Sequence, residues 1–243
     1  YKMNIYVYEN KALSMLDPIS TTRATFDIRI GKDTFLDRIK NIYPNSNIQL
    51  FVRDEIKDLV SDYHPDLIVN PEKIESGIWL LGNVLWNEKE VIVDESEQIL
   101  FMDQNECIGA NLNEANGLRF LKNLFDGNKL ETLKKTKNIN GKLCKYLWDI
   151  LDSINDSLLI EKALYYNNES QKIFNFGFNS IQLINESNIF IGESSIQPAV
   201  VMDASLGPII IDDDVNIKAH SYIEGPAYIG KGSVISPLSQ IKK

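Results

Sequence analysis

The stretch GPIIIDDDVNIKAHSYIEGPAYIGKGSVISPLSQI, residues 207–241, decides the fold. Ile211, Ile217, Ile223, Ile229, Ile235 and Ile241 stand six residues apart. An α-helix returns a side chain to one face about every 3.6 residues and a flat strand every 2, so neither alone sets this beat. Short strands joined by turns do, when each strand brings one aliphatic side chain back to a shared axis, as hexapeptide-repeat β-helices do. Four residues after each isoleucine come Val215, Ser221, Ala227, Ser233 and Ser239, compact enough for a corner. Gly225, Gly230 and Gly232 lie near corners, where a positive φ is expected. Upstream, IGESSIQP (191–198) reads as a slipped turn and residues 198–208 as a looser, interrupted coil. The repeats run to Lys243 with no polar cap. A solenoid needs its last apolar face covered, so the expected coil is truncated there or capped by a partner.

Outward from the coil, the pattern changes. MNIYVY (3–8), NIQLFV (47–52) and DLIVN (66–70) read as strands, separated by helical spacing in TFLDRIKNIY (34–43) and EIKDLVSDY (55–63). That alternation predicts a mostly parallel sheet with covering helices. Further strands are expected at GIWLLG (77–82), KEVIVD (89–94) and EQILFMD (97–103), and a helix at 113–125 with Asn113 as its cap. A second helical stretch over 144–167 places Leu147, Ile150, Leu151 and Ile154 on one apolar stripe and ends the first domain. The chain is thus expected to be α/β: a Rossmann-like, mostly parallel sheet domain at 1–170, then a parallel β-helix at 171–243.

Composition narrows the function. The 243 residues, 44% hydrophobic, suit one large domain or two ordinary ones. No apolar run reaches the ~18 residues of a membrane span, and the N-terminus lacks a basic region followed by an apolar one, so no signal peptide is expected. A formal net charge of −9 gains nothing from a nucleic-acid backbone or an anionic membrane. Cys107 and Cys144 have no metal-ligand spacing and read as buried thiols of a cytoplasmic protein. His64 and His220 are the only histidines, which excludes a multi-histidine metal site. The lysines between 129 and 145 read as a solvated surface.

The repeats IDDDVN, IKAHSY, IEGPAY, IGKGSV and ISPLSQ (211–240) resemble the left-handed β-helix of hexapeptide-repeat acyltransferases and sugar-nucleotide enzymes. The long loop after the first strand carries a second resemblance. LDPISTTRAT (16–25) and IGK (30–32) resemble the L-x-P-L-T-x-T-R-P-K run and following glycine of sugar-1-phosphate nucleotidylyltransferases. The match is closest to a divergent branch with a fused β-helix, similar to the bifunctional N-acetylglucosamine-1-phosphate uridylyltransferase and acetyltransferase. YLWDI (146–150) and the GPIII…IEGPAYIG pattern agree with that branch. The resemblance implies that a sugar-1-phosphate oxygen attacks the α-phosphate of a nucleoside triphosphate and pyrophosphate leaves. It also implies Mg²⁺ as cofactor and a homo-oligomer, a trimer built through the β-helix. Backbone amides, a Lys or Arg and the Mg²⁺ would offset the phosphate charge.

Three departures stand out. No glycine occurs between Glu9 and Leu16, Thr25 stands where the motif has lysine, and Asn83 follows Gly82 where the family has a Gly–Asp metal ligand. Each removes a charge-stabilising contribution of about 2–4 kcal/mol from a phosphoryl transition state. The candidate catalytic and phosphate-binding residue is Arg23, matching the motif arginine; its alternative is a structural ion pair with Asp27. Arg29 and Lys32 are further phosphate candidates that also suit surface ion pairs. Asn70 and Asn83 are candidates for nucleotide or sugar phosphate, and Asp103 for the metal, although Asn70 and Asp103 equally suit turns. Trp148 reads as a core tryptophan with Asp149 a helical surface carboxylate, and His220 as an exposed corner residue. Two other functions remain open: a catalytically degenerate nucleotide-sugar-binding or oligomerisation scaffold, and an acyltransferase completed by further C-terminal coils.

Overall fold

The computed structural model describes residues 2–87, 98–124, 135–139, 141–165 and 180–242. The expected strand KEVIVD (89–94) lies outside them. The chain divides into two compact units, one of Tyr1–Arg29 with Asp33–Ile150 and the other of Ile30–Lys32 with Leu151–Lys243.

The first unit is built on a seven-stranded sheet. Its elements are β1 (Asn4–Tyr8), α1 (Phe35–Ile42), β2 (Asn47–Phe51), α2 (Lys57–Tyr63), β3 (Ile68–Val69), β4 (Gly77–Leu81), β5 (Val84–Leu85), β6 (Ile99–Asp103), β7 (Glu106–Leu112), α3 (Glu114–Asn123), β8 (Thr136–Asn138), β9 (Lys142–Leu143) and α4 (Leu147–Asp152). The sheet order is β8–β6–β7–β4–β1–β2–β3. Strands β4, β1, β2 and β3 run parallel, while β7 is antiparallel to both β4 and β6. Alternation along β1 explains one face of the core. Tyr6 and Tyr8 point the same way and meet Trp79 and Phe120, with Tyr6 stacked on Trp79 at 4.6 Å and Tyr8 edge-on to Phe120 at 5.0 Å. Each such fully buried ring contributes about 1.5–3 kcal/mol of transfer free energy.

Local chemistry sets the helix ends. The Thr34 hydroxyl accepts from the Asp37 amide at 3.0 Å and the Asp37 carboxylate accepts from the Thr34 amide at 3.2 Å, a reciprocal cap that starts α1. Asn113 caps α3 through the Asn116 amide, as its place before the helical pattern predicts.

The stretch 144–167 departs from expectation. It forms two helices, α4 and α5 (Ile154–Tyr165), parted at the buried Ser153. Of the predicted stripe, Ile150 is buried but Leu151 is 64% exposed. Trp148 is not a core residue: it is 60% exposed. The cause is the Asp149 carboxylate, whose Oδ2 accepts from the amides of both Lys145 and Tyr146 at 2.9 Å. That caps the start of α4 and fixes a rotation that turns Ile150 inward and Trp148 outward. Asp149 is therefore a capping group rather than a free surface carboxylate.

In the second unit the described strands are two or three residues long, and all but the last three pair in parallel with the third strand after them. One ladder joins Gln182–Ile184, Val201–Asp203, Tyr222–Glu224 and Gln240–Ile241. A second joins Ile189–Ile191, Ile209–Ile211 and Ala227–Ile229, and a third Ser195–Ile196, Asn216–Ile217 and Val234–Ile235. Ile211 pairs with Ile229, Ile217 with Ile235 and Ile223 with Ile241, so three six-residue beats return the chain to its own neighbour. The first four isoleucines of the series are buried in one cluster with Val200, Met202 and Val215, and Ile235 and Ile241 pack against it. This repeating parallel pairing fits a β-helix. Helix α5 covers the second ladder, with Leu158 buried against Phe190 and Ile210.

The corners differ from the glycine expectation. Of the three glycines named, Gly232 alone has a positive φ, 75°. Elsewhere the left-handed corner is taken by Ala199, Asp214, His220 and Leu238, with φ between 59° and 62°. Each stands two residues before a strand, so backbone pairing on both sides holds the conformation. A non-glycine there carries a cost of about 1 kcal/mol. Ala199→Gly is accordingly expected to raise unfolding free energy by about 0.5–1 kcal/mol in denaturant titrations. An unchanged midpoint would mean the corner is not strained.

Candidate functional site

In an open α/β sheet the ligand crevice lies beyond the carboxyl ends of the strands, where the strand order reverses. Here the chain runs outward from β1 through β2 to β3 and then returns to the other side of β1 as β4, so the reversal falls between β1 and β4. Four residues lie just past those strand ends: Glu9, Arg53, Asn70 and Gly82.

Glu9 is fully buried. Its carboxylate accepts from the Thr25 amide at 2.8 Å and from Arg53 Nη1 at 3.1 and 3.2 Å. The other guanidinium nitrogen of Arg53 donates to the Ser20 and Thr21 carbonyls. Asp17 Oδ1 accepts from the Ser20 and Thr21 hydroxyls at 2.6 and 3.2 Å. One ion pair therefore clips both ends of the loop 10–25 to the ends of β1 and β2. Burial pushes the Glu9 carboxyl up from its usual range, against the Thr25 amide and Arg53, which pull it down. The Thr25 hydroxyl is buried with no hydrogen-bond partner among the described residues, about 3.1 Å from where a Cβ on Gly82 would stand. A buried hydroxyl without a partner is an uncompensated polar group in this turn.

Beside the start of this loop opens a cavity of about 460 Å³. Tyr8, Leu100, Met102, Phe120 and Leu124 give it apolar walls; Asn10, Lys11, Asn105 and Glu106 supply polar groups. Its size and mixed lining suit a small ring-bearing ligand. The Cys107 thiol also lines it, and burial raises that thiol's pKa and keeps it protonated.

The profile of the sugar nucleotidyl transferase family matches residues 5–168. The chain belongs to the sugar nucleotidyl transferase family. A comparison with curated proteins returns no match. For a nucleotidyl transferase, the loop after β1 and the adjoining cavity are where substrate phosphates and rings would be sought.

The sequence-named residues of this transferase fall into separate places. Arg23 is exposed in the clipped loop. Asp27 binds His64 at 2.7 Å, so the alternative pairing of Arg23 with Asp27 is not what holds this carboxylate. Arg29 is exposed after the loop. Lys32 belongs to the second unit, where Asp212 holds its ammonium at 2.8 Å. The Asn70 side chain bonds both the amide and the carbonyl of Val52 at 2.9 Å, fixing the turn that carries Arg53. Asn83 is buried and donates to the Cys144 carbonyl at 2.8 Å, while Asp103 accepts from the Leu143 amide at 3.1 Å. These last two are brought to one segment, Leu143–Cys144.

Among the described residues, no three His, Cys, Asp or Glu side chains gather to hold a metal ion. Mg²⁺ needs no protein cage, since one or two carboxylates plus substrate phosphates suffice; Asp103 and Asn83 each bond one of two adjacent residues, Leu143 and Cys144. No helix among the described residues is long and apolar enough to cross a membrane. Sequence reading missed Glu9 and Arg53. A carboxylate directly after an otherwise apolar strand was the available signal for Glu9; nothing local marked Arg53.

Proposed function

We propose that this transferase moves a nucleoside monophosphate from a nucleoside triphosphate to a sugar-1-phosphate, releasing pyrophosphate. The observation that carries the reading is the family match over the sheet unit, whose reversal point holds a loop clipped by Glu9 and Arg53. In this reading the loop, with Arg23 exposed on it, receives the triphosphate. The cavity walled by Tyr8 and Phe120 receives the nucleoside. Arg23 stabilises charge that builds on the phosphates as the pyrophosphate leaves. Asn83 and Asp103 border the acceptor phosphate, and Asn70 keeps Arg53 in register. Mg²⁺ is the proposed cofactor, with Asp103 its candidate carboxylate; when bound it would supply positive charge to the phosphates. The three-ladder coil is proposed to be a left-handed β-helix through which copies assemble, in a cytoplasmic protein.

One observation favours a second reading, a nucleotide-sugar binder without turnover. The Thr25 amide, which could face a phosphate, is taken by Glu9. Incubating the protein with paired nucleoside triphosphates and sugar-1-phosphates, then assaying pyrophosphate, separates the two. Release with any pair supports the transferase; nucleotide-sugar binding without release supports the binder. Arg23→Ala is expected to lower turnover at least 100-fold while the melting temperature stays unchanged, because Arg23 is exposed. An active variant would remove Arg23 from the site.

A further inference from the structure

We infer that Tyr146 and Trp148 form the platform on which the sugar ring of the acceptor lies; the inference rests on the transferase reading and names a part of its site. The two rings stack at 4.6 Å with 15° between their planes. Trp148 is 60% exposed, whereas Trp79 and Trp86, the other two tryptophans, are 0% and 2% exposed. Two stacked rings held by a fixed turn, one of them open to water, present a flat apolar face to a ligand. The rigidity comes from Asp149, which accepts from the Lys145 and Tyr146 amides and thereby fixes the turn that carries both rings.

Its place in the fold selects the sugar. The segment before the stack is sewn to the end of β4: Cys144 donates to the Asn83 carbonyl at 2.9 Å, and Asn83 Nδ2 donates back to the Cys144 carbonyl. Strand β9 pairs with β5, and Asp103 at the end of β6 holds the Leu143 amide. Lys145 reaches Glu106 on the cavity wall at 2.5 Å. The stack thus belongs to the β4–β5–β9 flank of the reversal point, and the clipped loop with Arg23 and Arg53 to the β1–β2 flank. Nucleotidyl transfer needs the attacking and leaving oxygens in line on opposite sides of phosphorus. Pyrophosphate departing over the loop leaves the acceptor phosphate to approach from the β4–β5–β9 flank. A pyranose attached to that phosphate presents a face of C–H groups, which packs flat against an aromatic ring.

The three tryptophans make the test direct. Among the three tryptophans of this chain the exposed fluorophore is Trp148, so its emission reports what covers it. Titration with glucose 1-phosphate and N-acetylglucosamine 1-phosphate, without nucleotide, is expected to shift or quench the emission with at least one of them. UTP or ATP alone is expected to leave it within the noise. Trp148→Phe should lose the optical signal yet bind the same sugar phosphate within about threefold by calorimetry, because a flat ring remains. Trp148→Ala should weaken that binding and raise the KM for sugar phosphate more than tenfold, with the KM for nucleotide unchanged. A signal from nucleotide alone, or a Trp148→Ala variant that melts as wild type and binds sugar phosphate equally well, overturns the platform and leaves the transferase reading standing. Wild-type protein that binds neither sugar phosphate at millimolar concentration overturns the platform, and absence of pyrophosphate release with every pair overturns the transferase reading as well.

Discussion

Replacing Arg53 with methionine is expected to lower unfolding free energy by about 3–5 kcal/mol at pH 7 and to abolish turnover. Methionine keeps the bulk of the side chain, so the loss isolates the guanidinium. Glu9 is fully buried and Arg53 is its cation, at 3.1 and 3.2 Å. Removing one partner of such a pair leaves a desolvated charge uncompensated, which is where a cost of that size arises. The same change frees the Ser20 and Thr21 carbonyls, so the loop that carries Arg23 loses its anchor. The deficit should also depend on pH. The folded-state pKa of Glu9 is already raised by burial, so the folded protein holds that proton more tightly than the unfolded chain does. Stability therefore falls as pH rises above the ordinary glutamate value and through the raised one. Arg53 pulls the carboxyl down; without it the pKa rises further, so the fall continues to higher pH and is larger in total. Denaturant titrations of wild type and Arg53→Met should diverge as pH goes from 5 to 8. Adding Glu9→Gln to the variant should recover part of the loss, because the orphaned charge is gone. Equal losses at pH 5 and pH 8 would show that the clip does not hold Glu9 ionised.

That clip was invisible in the sequence for a physical reason: Glu9 and Arg53 lie just past the ends of different strands and meet only because β1 and β2 pair in parallel. The isoleucine series, by contrast, was legible because it reports on neighbours within the repeat. A period of six appears in one line of sequence and reappears as the pairing of Ile211 with Ile229. Strand β1, helix α1 and helix α3 were legible for the same reason, since alternation, spacing and caps are local. Strand β7 was not, as Glu106–Leu112 mixes cysteine, glycine and asparagine and becomes a strand only between β6 and β4. Trp148 was misplaced by residue type: large aromatic rings are usually buried, and the cap on Asp149 that turns it outward needs coordinates to see. The corners were misread because pairing on either side forces a left-handed backbone on Ala199 and Leu238, which intrinsic preference would disfavour. In the loop after β1 the motif residues are local and show in the sequence, whereas the partners that fix its geometry, Glu9 and Arg53, do not.

The second large effect is expected at Gly31, in the second unit. Its φ is 82°, and a Cβ there would stand 2.8 and 2.9 Å from the two carboxylate oxygens of Glu161 and 3.0 Å from the Ser157 hydroxyl. A terminal carboxylate can often swing aside, but this one is fully buried on α5 and committed: Oε2 accepts from the Lys32 amide at 2.9 Å, and Ser157 Oγ lies 3.2 Å from Oε1 and 2.5 Å from the Ile30 carbonyl. Moving it to admit a methyl group breaks the hydrogen bonds of a buried carboxyl group, at a cost of about 1–3 kcal/mol. The left-handed backbone adds about 1–2 kcal/mol for any residue with a Cβ. Gly31→Ala should therefore lower unfolding free energy by about 3–4 kcal/mol. Gly232→Ala is the matched control. Its φ is 75° but nothing lies within 4 Å of the added atom, so it should lose the backbone cost alone, about 1 kcal/mol. The difference between the two variants, read from denaturant midpoints at pH 7, measures how firmly Glu161 is held among residues 30–32. Equal losses would mean the Glu161 side chain swings aside, and that residues 30–32 are joined to α5 by packing rather than by these buried hydrogen bonds.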